Sequence, residues 1–194
     1  APFSELPLLY NYEPSKNPLS SFYIPLLTRA VSYDRAVGYW SSSEIAYAAQ
    51  GLAHFIAGNG KMRLLVGAQL SQKDVDAITN GETIDSIIAN KILEDPGLSG
   101  AQAISSAPHK VIAWMIKENR LEVKVGVPFK DGKYLTQEES GKYFHTKHGL
   151  FIDALGNEVA FEGSNNSTTT GWQDNYETFK AFYSWDEEIW IRYG

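Results

Sequence analysis

The chain has 194 residues, with 17 Lys and Arg against 23 Asp and Glu, a formal net charge of -6 and no Cys. That length suggests one domain or at most two small ones, and 43% hydrophobic with 13% aromatic residues exclude a disordered chain. The absence of Cys excludes a disulfide framework, a Cys-based zinc site, an iron–sulfur cluster and a thiol nucleophile, and no apolar run is long enough to span a bilayer. The acidic balance argues against a surface that binds nucleic acid everywhere, but leaves room for a local basic groove.

The first residue is Ala1 rather than Met, so a processed, trimmed or partial chain is expected. No basic start followed by an apolar block marks a secretory signal in Ala1–Tyr10. Five prolines punctuate residues 1–30 and predict an extended beginning, followed by a short helix near Ser20–Ala30. Arg35–Trp40 reads as a buried strand. Ser41–Ser43 offers N-caps, Glu44 suits a first helical turn, and Ile45–Ile56 has helical spacing that Gly58-Asn59-Gly60 stops. Met62–Val66 is a second strand. Helices are predicted over Ser71–Asn80 and over residues 83–94, with a loop over Asp95–Ser106 and a helix over Pro108–Asn119. Leu121–Val127 alternates as a strand does, and Phe129–Lys142, polar with Gly132 and Gly141, is expected to be a mobile loop. Strands are predicted at Tyr143–Asp153, Val159–Phe161 and Phe179–Trp185, with a turn at Leu155-Gly156-Asn157. The alternation predicts an α/β layer sandwich whose sheet is mixed.

The chemistry concentrates in Phe144–Glu177. His145 and Lys147, two apart on a strand, project to one face. A neutral imidazole can attack phosphorus while a neighbouring ammonium holds the non-bridging oxygens. Gly163-Ser164 follows a strand, where a small residue lets backbone approach an anion, and Ser164 and Asn166 offer neutral donors. Glu177 can orient an imidazole through its second nitrogen. Each piece has an ordinary alternative: a solvated strand face for His145 and Lys147, a turn for Gly163-Ser164, a surface carboxylate for Glu177. The combination and its order carry the reading.

Those residues resemble the phospholipase D superfamily of phosphodiesterases, whose motif is H-x-K-x4-D followed by G-S-x-x-N or G-S-x-N. The stretches FHTKHGLFID and GNEVAFEGSNNSTTTGWQDNYETF look like the branch N-terminal to DEAD/DEAH and Swi2/Snf2 helicases of restriction and defence systems. Upstream, FYIPLLTRAVSYDRAVGYWSSSEI and GLAHFIAGNGKMRLLVG are similar to that branch's opening strands and first long helix. One position departs: the motif places its Asp at position 152, occupied here by Ile152, and the Asp is Asp153. A one-residue shift on a strand turns a side chain to the other face. Asp153 is therefore taken as a supporting residue, equally readable as the opening of the turn that follows it.

The resemblance implies an α/β fold with a mixed β-sheet sandwiched by helices, and residues 1–194 as one phospholipase D-like domain. It implies a nucleophilic His145, with Lys147 and Asn166 on the phosphoryl oxygens, Ser164 assisting, Glu177 orienting the imidazole and Gly163 in support. The family uses two such motifs per site, and this chain carries one, so a homodimer meeting at His145 is expected. No metal or cofactor is expected, because covalent catalysis and cations do that work. His148 faces away from His145 on an ideal strand, which disfavours a two-His metal site. His54 is expected in the core or on a helix surface.

The partner expected is nucleic acid, DNA first, with a helicase motor in cis or in trans, no membrane and a cytoplasmic location. The competing readings are a phospholipid or small-molecule phosphodiesterase, and a non-catalytic nucleic-acid-binding or assembly module. Residues 105–150 hold eight Lys and Arg against five acids, a net +3 that leads into the His145 motif, while the remainder carries -9. The acidic total thus conceals a modestly basic approach.

Overall fold

A computed structural model describes residues 1–38, 49–67, 114–141, 147–163 and 178–193. The predicted elements at Ser41–Glu44, Ser71–Asn80, 83–94 and Asp95–Ser106 lie outside these residues. Seven strands form a mixed sheet. They are β1 (Asn11–Tyr12), β2 (Ala30–Val37), β3 (Lys61–Gly67), β4 (Leu121–Gly126), β7 (Lys147–Asp153), β8 (Glu158–Gly163) and β9 (Phe179–Tyr183). The order across the sheet is β1-β9-β8-β7-β2-β3-β4. Strands β2, β3 and β4 run parallel, whereas β7 is antiparallel to β2 and continues as a meander through β8 and β9.

Alternation divides the sheet into two faces. Tyr33, Val37, Phe151, Val159, Phe161, Phe179 and Ala181 are buried on the core face. The turn before β2 covers them. It is a π-helical segment, Leu19–Tyr23, running into helix α1, Ile24–Leu27. Its Phe22 and Tyr23 meet Phe161 edge-on at 5.4 Å, and Tyr12 stacks on Phe179 at 4.9 Å. Large rings of this kind account for most of the apolar area such a core removes from water. The predicted helix at Ser20–Ala30 ends earlier. Thr28 donates its hydroxyl back to the Ile24 carbonyl at 2.7 Å, and the chain is already a strand at Ala30. Strand β2 accordingly precedes the predicted Arg35–Trp40.

Helix α2, Ala49–Ala57, stops where Asn59 takes a left-handed φ of 62°. His54 is exposed on it. Of the predicted Pro108–Asn119 helix, residues 114–117 are described and helical. On the opposite sheet face, Arg63 donates to Asp34 across the β2–β3 pair, 2.8 Å at Nε.

Three features depart from the sequence expectation. Strand β1 closes the β9 edge with two residues, a short cover that limits edge pairing. Helix α4, Glu187–Tyr193, has Asp186 at its start. The third replaces the expected loop over Phe129–Lys142. Strands β5 (Phe129–Lys130) and β6 (Lys133–Tyr134) form a hairpin, followed by helix α3, Gln137–Ser140. Asp131 (φ 49°) and Gly132 (φ 80°) are both left-handed, as a two-residue hairpin turn requires. Thr136 Oγ1 accepts from Glu139 N at 3.1 Å while the Glu139 carboxylate accepts from Thr136 N at 2.8 Å, a capping box that starts α3.

Candidate active site

Strand β7 places Lys147, Gly149, Phe151 and Asp153 on the core face and His148 on the other. Lys147 begins the strand, pairs with Val37 in the register, and is only 3% exposed. Gly149 faces the Phe161 ring, and a Cβ there would collide with it. The Arg35 guanidinium lies 5.0 Å from the centre of that ring and is 2% exposed. Arg35 is opposite Gly149, two positions from the Val37–Lys147 pair. Two buried cations therefore sit on neighbouring strands near one end of the sheet. Sequence reading passed over Arg35, although a charge inside an apolar strand run is a visible signal.

Gly163 ends β8 opposite Phe179. A Cβ on Gly163 would stand 2.5 Å from Phe179 Cβ and 2.6 Å from its Cα, and would overlap the Thr178 carbonyl oxygen. The strand ends pack so closely here that only glycine fits. Lys147, Gly163, Thr178 and Phe179 line one cleft of about 940 Å³, with Tyr12, Lys16 and Lys180 further along its wall. Glu13 and Glu162 also line it, so three lysines face two carboxylates. Burial pushes the Tyr12 phenol up, so it stays protonated at neutral pH.

His145, Ser164, Asn166 and Glu177 lie outside the described residues. Their segments, 142–146 and 164–177, join the described chain at Lys147, at Gly163 and at Thr178, and all three of these line the cleft. His148 sits on the face opposite Lys147, with Nδ1 3.8 Å from the Glu162 carboxylate. Both side chains are more than half exposed, so that pair contributes little. Among the described residues, no group of three His, Asp or Glu gathers as a metal site. Among them, too, no helix is long and apolar enough to cross a membrane.

Asp153 is elsewhere. It ends β7, six residues and about 20 Å from Lys147 at strand spacing. Its Oδ2 accepts from Phe3 N and from Asn157 Nδ2, both at 2.8 Å. Its Oδ1 accepts from Leu155 N and Asn157 N, both at 2.9 Å. Burial alone would push this carboxyl up, but the four donors together outweigh it and hold the group below the usual carboxylate range. Asp153 supports the fold as the opening residue of the turn and the anchor of the N-terminal segment.

Comparison with protein-family models finds no match, and neither does comparison with curated proteins. Several solved structures are similar. Phosphatidylserine synthase from Haemophilus influenzae Rd KW20 superposes with a TM-score of 0.50 at 14% identity, covering 93% of this chain and 37% of that one. NucT from Helicobacter pylori gives a TM-score of 0.49 at 15% identity, covering 94% and 88%. Nuc from Salmonella typhimurium, described as a phospholipase D family member, gives 0.41 at 12% identity, covering 88% and 84%. At such identities the likeness speaks to architecture alone: a large mixed sheet flanked by helices, shared with the phosphatidylserine synthase structure.

Proposed function

We propose that the chain is a metal-independent phosphodiesterase that cleaves nucleic acid, DNA in the first instance. The observation that carries this reading is the cleft floor. A buried lysine and a glycine that no larger residue can replace meet where both motif segments join the sheet. In the proposed reaction, an imidazole nitrogen of His145 attacks phosphorus and forms a P–N bond as one P–O bond breaks. His145 of a second copy gives its proton to the leaving oxygen and then takes one from water, whose oxygen bonds to phosphorus as the P–N bond breaks and the first histidine is released. Lys147 and Asn166 hold the non-bridging oxygens, Ser164 assists, and Glu177 orients an imidazole. Arg35 adds positive charge beneath the floor. A helicase motor, in cis or in trans, would present the strand.

Plasmid nicking in the presence of a chelator tests the proposal. Nicking by the wild-type chain that persists in the chelator and is lost in His145→Ala is expected, whereas full activity in His145→Ala refutes it. Headgroup release from liposomes, run in parallel, decides between nucleic acid and lipid. Sedimentation equilibrium tests the shared site, for which a monomer that retains full activity is the refuting result.

A further inference from the structure

The β5–β6 hairpin is a two-stranded sheet of its own, not part of the central one. Phe129 is opposite Tyr134 and Lys130 is opposite Lys133. Two features run against its own stability. Phe129 is 60% exposed, held edge-on by Tyr134 at 5.1 Å. Lys130 and Lys133 are directly opposed, and like charges so placed repel across a strand pair. Yet the element is firmly built. Leu135 N donates to Pro128 O at 3.0 Å below the pair, the turn residues are left-handed as needed, and the capping box fixes the chain just beyond. A local rule broken in a well-made element points to function.

Its place in the fold says which function. In the register, Lys147 is level with Val37, Val37 with Val66, and Val66 with Val125. Strand β4 ends one residue later at Gly126, and β5 begins at Phe129. The hairpin therefore springs from the same rim of the sheet as Lys147, three strands away, which is about 14 Å. One polyanionic chain seated at Lys147 can reach it within a few nucleotide steps.

We propose that the hairpin is a contact for single-stranded nucleic acid. Phe129 stacks on an unpaired base, and Lys130 and Lys133 take backbone phosphates. The aromatic pair occupies one face of the ribbon and the lysine pair the other, as a nucleotide presents base and phosphate on different sides. An anion beside the lysines relieves their repulsion. One phenylalanine and two lysines offer too little apolar area to anchor a membrane. The inference builds on the phosphodiesterase reading, because it supplies that site's substrate class.

Fluorescence anisotropy of the full chain with labelled oligo(dT) of about 16 nucleotides tests it. Phe129→Ala is expected to weaken binding about tenfold with the salt dependence unchanged, and Phe129→Trp to restore it. Lys130→Ala with Lys133→Ala should lower the slope of log affinity against log salt by about 1.4, as two lost phosphate contacts require. Hydrolysis of a small chromogenic diester, too short to reach the hairpin, should match wild type in all three variants. If the variants bind oligo(dT) as wild type does, the hairpin assignment is overturned, whether or not the diester is cleaved. If the binding pattern holds but wild type cleaves no diester, the phosphodiesterase reading fails and the hairpin assignment stands. Wild type that sediments with anionic vesicles and ignores oligo(dT) also overturns it.

Discussion

Replacing Asp153 by Asn changes one oxygen into an NH2 and leaves the shape intact. In the wild-type chain each carboxylate oxygen accepts two hydrogen bonds, from Phe3 N, Leu155 N, Asn157 N and Asn157 Nδ2. Whichever way the amide turns, two donors lose their acceptor and face another donor in a site only 4% exposed. Hydrogen bonds to a charged group contribute about 1.5–3 kcal/mol each, so losing two in Asp153→Asn should cost about 3–6 kcal/mol. In a chain of this size that lowers Tm by about 6–24 °C. Urea and thermal unfolding read the loss. The folded pKa lies below the ordinary one, so this stabilisation is complete above the usual carboxylate pKa of about 3.9 and is lost as pH falls through the folded value. The gap between wild type and variant should therefore close in acid, below about pH 4. Activity per folded molecule should persist, because Asp153 lies far from the cleft. A loss under about 1 kcal/mol, or a gap independent of pH, would refute the clamp.

Gly163→Ala should cost about 1–3 kcal/mol, since its Cβ meets Phe179 and the Thr178 carbonyl, and should also lower diester cleavage by moving the cleft edge. Gly156→Ala is the control: its φ of 81° strains an alanine and nothing lies nearby, so stability falls and activity per folded molecule holds. Gly149→Ala collides with the Phe161 ring, and Phe161→Leu in the same chain should recover part of the loss, a coupling of about 1 kcal/mol or more in a double-mutant cycle. Orthophosphate should raise the wild-type Tm through binding at the cleft, and Lys147→Met should abolish that shift, whereas equal shifts in both chains would remove Lys147 from the anion site.

The sheet was largely legible because strands β3, β4, β7, β8 and β9 each carry a strong apolar signal, and their centres fall where the sequence places them. Strand β1 was invisible, since two residues hold no periodicity and its pairing with β9 spans the chain. The hairpin hid behind polarity. Lys130-Asp131-Gly132-Lys133 carries the Asp-Gly signal of a two-residue turn, and Thr136 with Glu139 spells a capping box. Both were readable, but polar flanks masked the period. At the site, the sequence singles out Lys147 and Gly163, and both line the cleft. Arg35 was not legible, because its importance comes from a ring contributed more than a hundred residues later.

The one-residue departure at Asp153 has a physical resolution in the strand itself. An Asp at position 152 would point with His148 toward the opposite face, whereas position 153 points with Lys147 into the core. The β2 partner accommodates this with an irregularity: Ala30 pairs with Asp153 but Ser32 with Ile152, so Val31 has no partner of its own. A core-facing carboxylate must be satisfied, and the turn and the Phe3 amide do so. The shift thus couples the N-terminal segment to the strand whose other end carries Lys147. Phe3 is fully buried, so the strap is held by packing as well as by the carboxylate. The seven residues of β7 join the two ends, paired with β2 along their length apart from the irregularity at Val31, and with β8 over His148–Ile152. A loosened anchor at Asp153 is therefore felt first as fraying at its own end of β7, and reaches Lys147 only when the ladder between them opens.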